Sequence, residues 1–473
     1  MNDHIHNSDT FFVCIFRGIL QRKKIDRKYQ ERKTELSRKD IMIKKSENAF
    51  CFSIGNKKYL FNANTLKMFE VEEDQYKLVE AFDEHSELNQ NSQAVKELID
   101  EGFFVFKELK YMDLKKKRYE MASKADKNYI SYLRISLTEG CNMRCKYCFV
   151  AEEFEKKKHS MDEDKFISII EDFITHNYKN NVSIQYFGGE PLLKMNLIKI
   201  GNEMLKSAIA DGKIKSANQE VVTNGTLINE DIINYFHEND IKCTISLDGL
   251  KEINDRNRIF ADGSGTYDTV VSKCQLIKSM NGRVSFLMTP SKDNLDYLPR
   301  SIQYMIDELG ADEININAPQ PRVDGWDVDG AFLADKIIQS IEICQDCNIP
   351  FNHPASNLIF LLQRHELQRY SCMSFKKNGN SNSFGVYVGS DGTISNCIVK
   401  KNDREFTTFD DCRDRIVSEK WSFQPSESSK CAACPLRNVC VGPCSIEQRM
   451  CVNGQNMEKC KFMLSMFRWL LSR

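Results

Sequence analysis

Cys141-Asn142-Met143-Arg144-Cys145-Lys146-Tyr147-Cys148-Phe149 follows closely on Tyr132-Leu133-Arg134-Ile135-Ser136-Leu137, with Thr138-Glu139-Gly140 between them. The upstream run alternates in the way of a β-strand, and Gly140 breaks it. The downstream run then sets three thiols within eight residues on a loop leaving that strand. Thiolates are soft ligands, suited to zinc or to iron–sulfur clusters. A closed tetrahedral zinc site needs a fourth ligand, and His159 lies well downstream. Three thiolates could instead hold three irons of a 4Fe–4S cube and leave the fourth iron open to a small molecule.

The pattern CxxxCxxC, with Tyr147 before its last cysteine, resembles the radical S-adenosylmethionine (SAM) superfamily. That resemblance implies that Cys141, Cys145 and Cys148 hold a catalytic cluster whose open iron is chelated by SAM. One electron then cleaves SAM to a 5′-deoxyadenosyl radical, which abstracts a hydrogen atom. The competing expectation from the thiols alone is a zinc knuckle.

Composition narrows the class. The chain of 473 residues is too long for one ordinary core, and its apolar share of 41% suits globular packing. A net charge of −1 provides no bulk field toward nucleic acid or a membrane surface. The apolar stretch Phe11–Phe16 is short and ends at Arg17, so neither a signal peptide nor a membrane span is expected. The expected compartment is the cytoplasm. There, 18 cysteines point to metal binding or catalysis rather than disulfides.

Residues 1–47 form a basic extension, read as a solvated arm. Residues 48–112 read as a small α+β unit. Ala49–Ile54 and Lys58–Phe61 flank Gly55-Asn56 as a hairpin, and Leu66–Val71 is a third strand. Helical spacing follows in Glu73–Phe82 and Ser92–Ile99. Three strands before a helical cluster resemble the RiPP recognition element, a winged-helix-like domain of peptide-modifying enzymes. It captures a precursor's leader peptide by strand addition. A plain packing domain is the other expectation. Residues 113–130 are a Lys-rich linker.

From 131 to 325 strand and helix alternate. Strands are expected at Tyr132–Leu137, Val182–Tyr186, Glu220–Thr223, Cys243–Leu247, Val284–Met288 and Glu313–Asn317. Helices such as Asp164–Thr175, Leu192–Ile209, Asn229–Phe236 and Leu295–Leu309 fill the gaps. Repeated βα units imply a parallel sheet with right-handed crossovers. The radical SAM resemblance makes this a partial TIM-like (β/α)6 barrel, in which chemistry gathers at the C-terminal strand ends.

Those ends carry further signals. Phe187-Gly188-Gly189-Glu190-Pro191 follows the second strand, where glycines permit close backbone approach and Glu190 provides an anion. The family resemblance assigns Gly188, Gly189 and Glu190 to the amino group of SAM. Thr223-Asn224-Gly225-Thr226 closes the third strand, and Asn224 joins the SAM-binding set with Tyr147. Ser246-Leu247-Asp248-Gly249 closes the fourth, followed by Arg258. Similar enzymes use such a turn and a later Arg for the SAM carboxylate, which gives Ser246, Asp248 and Arg258 that role. Asn254 stands where the family often has His, and a helix cap is the alternative for Asp248.

Residues 326–371 form a helical bridge, with Cys344 and Cys347 as structural or free thiols. The region 372–473 carries a second constellation: Cys372, Cys397, then Cys431, Cys434, Cys440 and Cys444, then Cys451 and Cys460. Its spacing resembles the SPASM domain, which binds two auxiliary 4Fe–4S clusters. The resemblance implies one cluster on Cys431, Cys434, Cys440 and Cys460, and another on Cys372, Cys397 and Cys444. The fourth ligand of the latter is Cys412 or Cys451, or is absent. Cys14, Cys51, Cys243 and Cys274 fall in strand or helix patterns and are expected as buried thiols.

Together these readings imply an α/β radical SAM/SPASM maturase with SAM and three 4Fe–4S clusters. Its expected partners are a precursor peptide, held by its leader, and an electron donor such as flavodoxin or ferredoxin. The expected product is a thioether or carbon–carbon crosslink. Peptide epimerisation, an anaerobic sulfatase-maturase-like activity, and a non-catalytic zinc-binding interaction protein are the alternatives.

Overall fold

The computed structural model describes residues 43–83, 86, 88, 92–106, 128–148, 159–317, 328–367, 376–378, 381–395, 408–418, 429–440 and 456–473. The basic extension through 42, most of the linker, Phe149, and Cys14, Cys372, Cys397, Cys444 and Cys451 lie outside the described residues.

The amino-terminal unit opens with the short strand β1 (Lys44–Lys45), ahead of the expected boundary at 48. Three antiparallel strands follow: β2 (Ala49–Ile54), β3 (Lys57–Asn62) and β4 (Lys67–Val71). Helices Glu73–Glu80 and Gln93–Asp100 come next, and β5 (Phe104–Val105) returns to pair with β1. Alternation gives the three-stranded sheet two apolar faces. Leu60 and Phe69 pack with Tyr76, Val79, Leu98 and Phe103 of the same unit. Tyr59, Phe61 and Met68 turn the other way, toward the main core. The carboxyl-terminal helix Met457–Leu471 closes that second face, with Phe467 edge-on to Phe52 and Phe61 at 5.5 and 4.9 Å. Arg437 donates to Asn48 Oδ1 at 2.8 Å, and Asn438 Nδ2 donates to the Ala63 carbonyl.

The main sheet runs β6 (Asn128–Thr138), β7 (Asn181–Gly188), β8 (Ser216–Thr223), β9 (Ile241–Ser246), β10 (Ser285–Met288) and β11 (Glu313–Ile316). Each pairs in parallel with the next, as expected from the βα alternation. The sheet is wider than the six expected strands. β12 (Phe351–Asn352), inside the stretch expected to be a helical bridge, adds to β11. β14 (Ser381–Val388) pairs in parallel with β6, and β13 (Lys376–Asn378) and β15 (Ile394–Ser395) both pair antiparallel with β14. Part of the region assigned to a separate cysteine-rich unit is thus continuous with the central sheet.

One face of the main sheet is apolar and covered by helices. Leu133, Ile135 and Leu137 of β6 are fully buried, each burial stabilising by about 1.5–3 kcal/mol. Tyr186 Oη donates to Gln219 Oε1 at 2.8 Å, and Gln219 Nε2 donates to Asn202 on helix Met195–Ala210. Tyr186 and Gln219 therefore face the helices, and their neighbours Gln185 and Glu220 face the other way. Helix starts follow local chemistry: Asp162 caps Glu163–His176 by accepting the Lys165 N–H at 2.9 Å. No helix among the described residues is long and apolar enough to cross a membrane.

Candidate active site

The C-terminal ends of β6 to β10 converge on the cysteine loop. The loop is pinned from one side by the chain after helix Lys251–Asn257. Arg144 N–H donates to the Ile259 carbonyl at 2.7 Å, Lys146 N–H to that of Asn257 at 2.9 Å, and Met143 bridges Phe260. From the other side, Asn142 Oδ1 accepts from Asn224 Nδ2 at 2.9 Å, and Asn142 Nδ2 donates to Thr226 Oγ1 at 2.8 Å. Asn224 Oδ1 in turn accepts from the Thr226 N–H and hydroxyl. Asn142 and Thr226 were not singled out from sequence as site residues, because amides and hydroxyls in turns ordinarily serve their own loop.

Cys141, Cys145 and Cys148 are free thiols close enough to influence one another electrostatically. Burial pushes Cys145 up to about 12 and raises Cys141. Metal coordination would remove those protons. The Cys141 sulfur already accepts the Met143 N–H at 3.4 Å and the Asn224 amide at 3.8 Å. Such donors suit a sulfur carrying ligand charge. No three His, Cys, Asp or Glu side chains among the described residues focus on one point as a single ion would require. A cube makes a different demand, one thiolate on each of three irons, and the three neighbouring thiols fit it.

Gly188 and Gly189 are required by close packing of backbone on backbone. Gly188 has φ +134°, and a Cβ there would lie 2.4 Å from the Thr138 carbonyl oxygen. A Cβ on Gly189 would lie 2.2 Å from that of Gly140. The close approach expected toward a ligand is thus taken up, at the Cβ positions, by the chain entering the cysteine loop. Gly189 N–H and Glu190 N–H donate to the Thr138 and Gly140 carbonyls at 2.7 and 2.8 Å. Glu190 is fully buried, and its carboxylate accepts from Thr223 Oγ1 (2.6 Å), Asn224 N–H (2.8 Å) and Leu192 N–H (3.0 Å). Burial lifts it to about 6 against those hydrogen bonds. Its oxygens organise the ends of β7 and β8.

Asp248 occupies the centre of the fourth strand's turn. Its carboxylate accepts from Tyr147 Oη (2.5 Å), Arg258 Nη2 (3.1 Å) and the Thr289 N–H (3.1 Å). Leu250 occupies the N-cap position of the helix that follows, with no side-chain cap, so Asp248 is not its cap. Burial works most strongly against the Arg258 charge, but Asp248, Tyr147 and Cys145 together hold Arg258 above its ordinary value. The guanidinium lies 5.4 Å from the Tyr147 ring centre, and its buried Nε has no hydrogen-bond partner. An orphaned donor beside the thiol loop fits an anionic group of a bound molecule. Ser246 is the last residue of β9, two before Asp248. Asn254 Oδ1 accepts the Asp248 N–H at 3.3 Å, and its amide donates to Thr266, which gives it a bracing position in the turn.

Farther along the chain, Cys431, Cys440 and Cys460 all lie near Cys434, which burial and these neighbours raise to about 11. Cys412, one alternative fourth ligand, is fully buried in the main core on helix Phe409–Ser418. Cys344 is buried and Cys347 is exposed at the helix end.

Residues 135–305 match the radical SAM superfamily, and the chain accordingly carries a radical SAM domain, which implies SAM and a 4Fe–4S cluster. An uncharacterised protein of Methanocaldococcus jannaschii is 32% identical over 194 residues, 41% of this chain and 64% of that protein. The radical SAM cyclopropyl synthase TigE of Paramaledivibacter caminithermalis is 26% identical over 302 residues, 57% of this chain and 60% of its own length. The chain spans less than two thirds of either curated relative. Among solved structures, native anSMEcpe with bound AdoMet and a Cp18Cys peptide superposes with a TM-score of 0.59 at 18% identity, covering 72% of this chain and 98% of that one. Streptococcus suis SuiB bound to S-adenosylmethionine gives 0.54 at 16%, covering 88% and 99%. At these identities the likeness is one of fold.

Proposed function

We propose that this chain uses SAM to abstract a hydrogen atom from a ribosomally made peptide and so installs a thioether or carbon–carbon crosslink. The observation that carries the proposal is the loop of three thiols, hydrogen-bonded to Asn224 and set beside a buried Arg258 with an unused Nε. A 4Fe–4S cluster on Cys141, Cys145 and Cys148, when bound, supplies the electron that cleaves SAM. Arg258 is the clamp for the SAM carboxylate, and Asp248 and Tyr147 hold it in place. Gly188 and Gly189 shape the backbone near the amino group, and Glu190 keeps the β7 and β8 ends in register. Ser246 and Asn224 complete the polar wall.

Cys431, Cys434, Cys440 and Cys460 are proposed as one auxiliary cluster site, a reading supported by the electrostatic influence of the other three thiols on Cys434. Cys372, Cys397 and Cys444 are proposed for a second. Such centres would receive the electron that a net oxidative crosslink releases. The amino-terminal unit supports a peptide substrate. Its order β2-β3-β4 leaves both outer strands without a strand partner among the described residues, the requirement for strand addition.

The test is anaerobic reconstitution of wild type and Cys145→Ala, with iron and 5′-deoxyadenosine measured after reduction in the presence of SAM. The wild type should cleave SAM, and the variant should lose cleavage while retaining the iron of its carboxyl-terminal sites. Undiminished cleavage in Cys145→Ala would defeat the assignment. Tandem mass spectrometry of a candidate precursor then separates the products: loss of a hydrogen pair marks a crosslink, and deuterium gain from heavy water marks epimerisation.

A further inference from the structure

The face of the main sheet turned away from Tyr186 and Gln219 is crossed by an unbroken chain of polar side chains from seven adjacent strands. Arg134 Nε on β6 donates to Gln185 Oε1 on β7 at 2.5 Å, and Gln185 Nε2 donates to Glu220 Oε2 on β8 at 2.7 Å. From the far edge, Asn352 Nδ2 on β12 donates to Asn315 Oδ1 on β11 at 2.9 Å, and Asn315 Nδ2 donates to Ser285 Oγ on β10 at 3.2 Å. Ser285 Oγ lies 3.4 Å from Thr244 Oγ1 on β9, which donates to Glu220 Oε1 at 2.7 Å. Thr244 has a single proton and gives it to Glu220, so Ser285 is the donor in their link. Every bond in the belt therefore points toward Glu220.

The two cations on this face share its two carboxylates unevenly. Lys242 stands 2.7 Å from Glu313 and 3.8 Å from Glu220. No carboxylate among the described residues lies within ion-pair distance of Arg134. Its one side-chain hydrogen bond among the described residues is to the neutral Gln185, and the Phe187 ring centre lies 5.5 Å from its guanidinium. The side chain is half-buried. Of five guanidinium N–H donors, Nε is committed and the four on Nη1 and Nη2 remain. The Gln185–Glu220 relay fixes the plane of that fork, and a planar fork is matched by a carboxylate. Arg134 lies four residues before Thr138, about 13 Å below the strand ends.

Resting on the peptide-modifying proposal above, we infer that Arg134 is the docking point for a carboxylate of the substrate peptide, within about four extended residues of the reacting position. Helices pack on the other face of the sheet, so a peptide reaching the thiol loop along this face passes the belt. The carboxylate is an Asp or Glu side chain or the peptide's own carboxyl terminus.

Three synthetic probes separate these sources: acetyl-Gly-Ala-Glu-Ala-Gly-amide, its Gln counterpart, and the Gln peptide with a free carboxyl terminus. Each is titrated into the full-length, anaerobically reconstituted protein by calorimetry. One carboxylate probe should bind the wild type about tenfold more tightly than the neutral amide, the effect of a charge-assisted pair. Arg134→Gln should erase that ratio, and Arg134→Lys should keep part of it. Equal binding of all three probes to the wild type, or a preference that survives in Arg134→Gln, overturns the inference. Formation of 5′-deoxyadenosine by the same wild-type preparation keeps the two proposals distinct. Cleavage without carboxylate preference removes only the Arg134 assignment, whereas a wild type that never cleaves SAM removes the proposal beneath it.

Discussion

Replacing Asp248 by Ala tests whether the turn after β9 is held by a buried ion pair. The Asp248 side chain is fully buried and Arg258 nearly so, and they meet at 3.1 Å. Removing one member of such a pair leaves an uncompensated buried charge, which costs about 3–5 kcal/mol. Tyr147 Oη and the Thr289 N–H also lose their acceptor, at about 1–3 kcal/mol each if no water replaces it. We therefore expect Asp248→Ala to lower the opening free energy of residues 241–260 by at least about 4 kcal/mol. Removing both charges in Asp248→Ala/Arg258→Met should be milder than the sum of the single changes by about 2 kcal/mol. Native-state hydrogen exchange resolved to that segment is the measurement, because it reports local opening in a chain of several units. A single-variant cost below about 1 kcal/mol, or strict additivity in the double variant, would refute the ion-pair reasoning.

Gly189→Ala places a methyl group 2.2 Å from the Gly140 carbonyl oxygen and 2.7 Å from that of Glu139, so the cysteine loop must move. The expected cost is about 2–4 kcal/mol, with reduced iron uptake, checked by thermal denaturation and metal analysis. His353 supplies a pH test. Burial pulls its imidazole from 6.5 down to about 3, so the folded chain keeps it neutral while the unfolded chain gains a proton. Its contribution is complete above pH 6.5 and is lost as pH falls from there toward 3, by up to about 1.4 kcal/mol per unit. His353→Asn, which keeps an acceptor for the Ala355 N–H, should flatten that dependence in urea titrations at pH 7 and 5.

Local pattern alone determined the repeating architecture. Strands from Tyr132 to Asn317 alternate every second residue and are separated by helical spacing, and the observed elements differ from these expectations by a few residues at their ends. The three thiols after Leu137 and the glycines after Phe187 were legible for the same reason, since each lies at a break in a strand pattern. What local pattern could not supply is any pairing between distant parts of the chain. β14 lies beside β6 although some 250 residues separate them, and no short-range turn dictates a parallel neighbour. The second face of the amino-terminal sheet reads as apolar in sequence, but only the fold covers it with Phe467. Asp248 and Arg258 were readable as polar residues near a strand end, while their bond to each other and to Tyr147 needed three segments to meet. The belt from Arg134 to Asn352 shows the same limit. Each polar residue is the ordinary outward half of a strand's alternation, and it becomes a directed chain only when parallel registers align seven strands side by side.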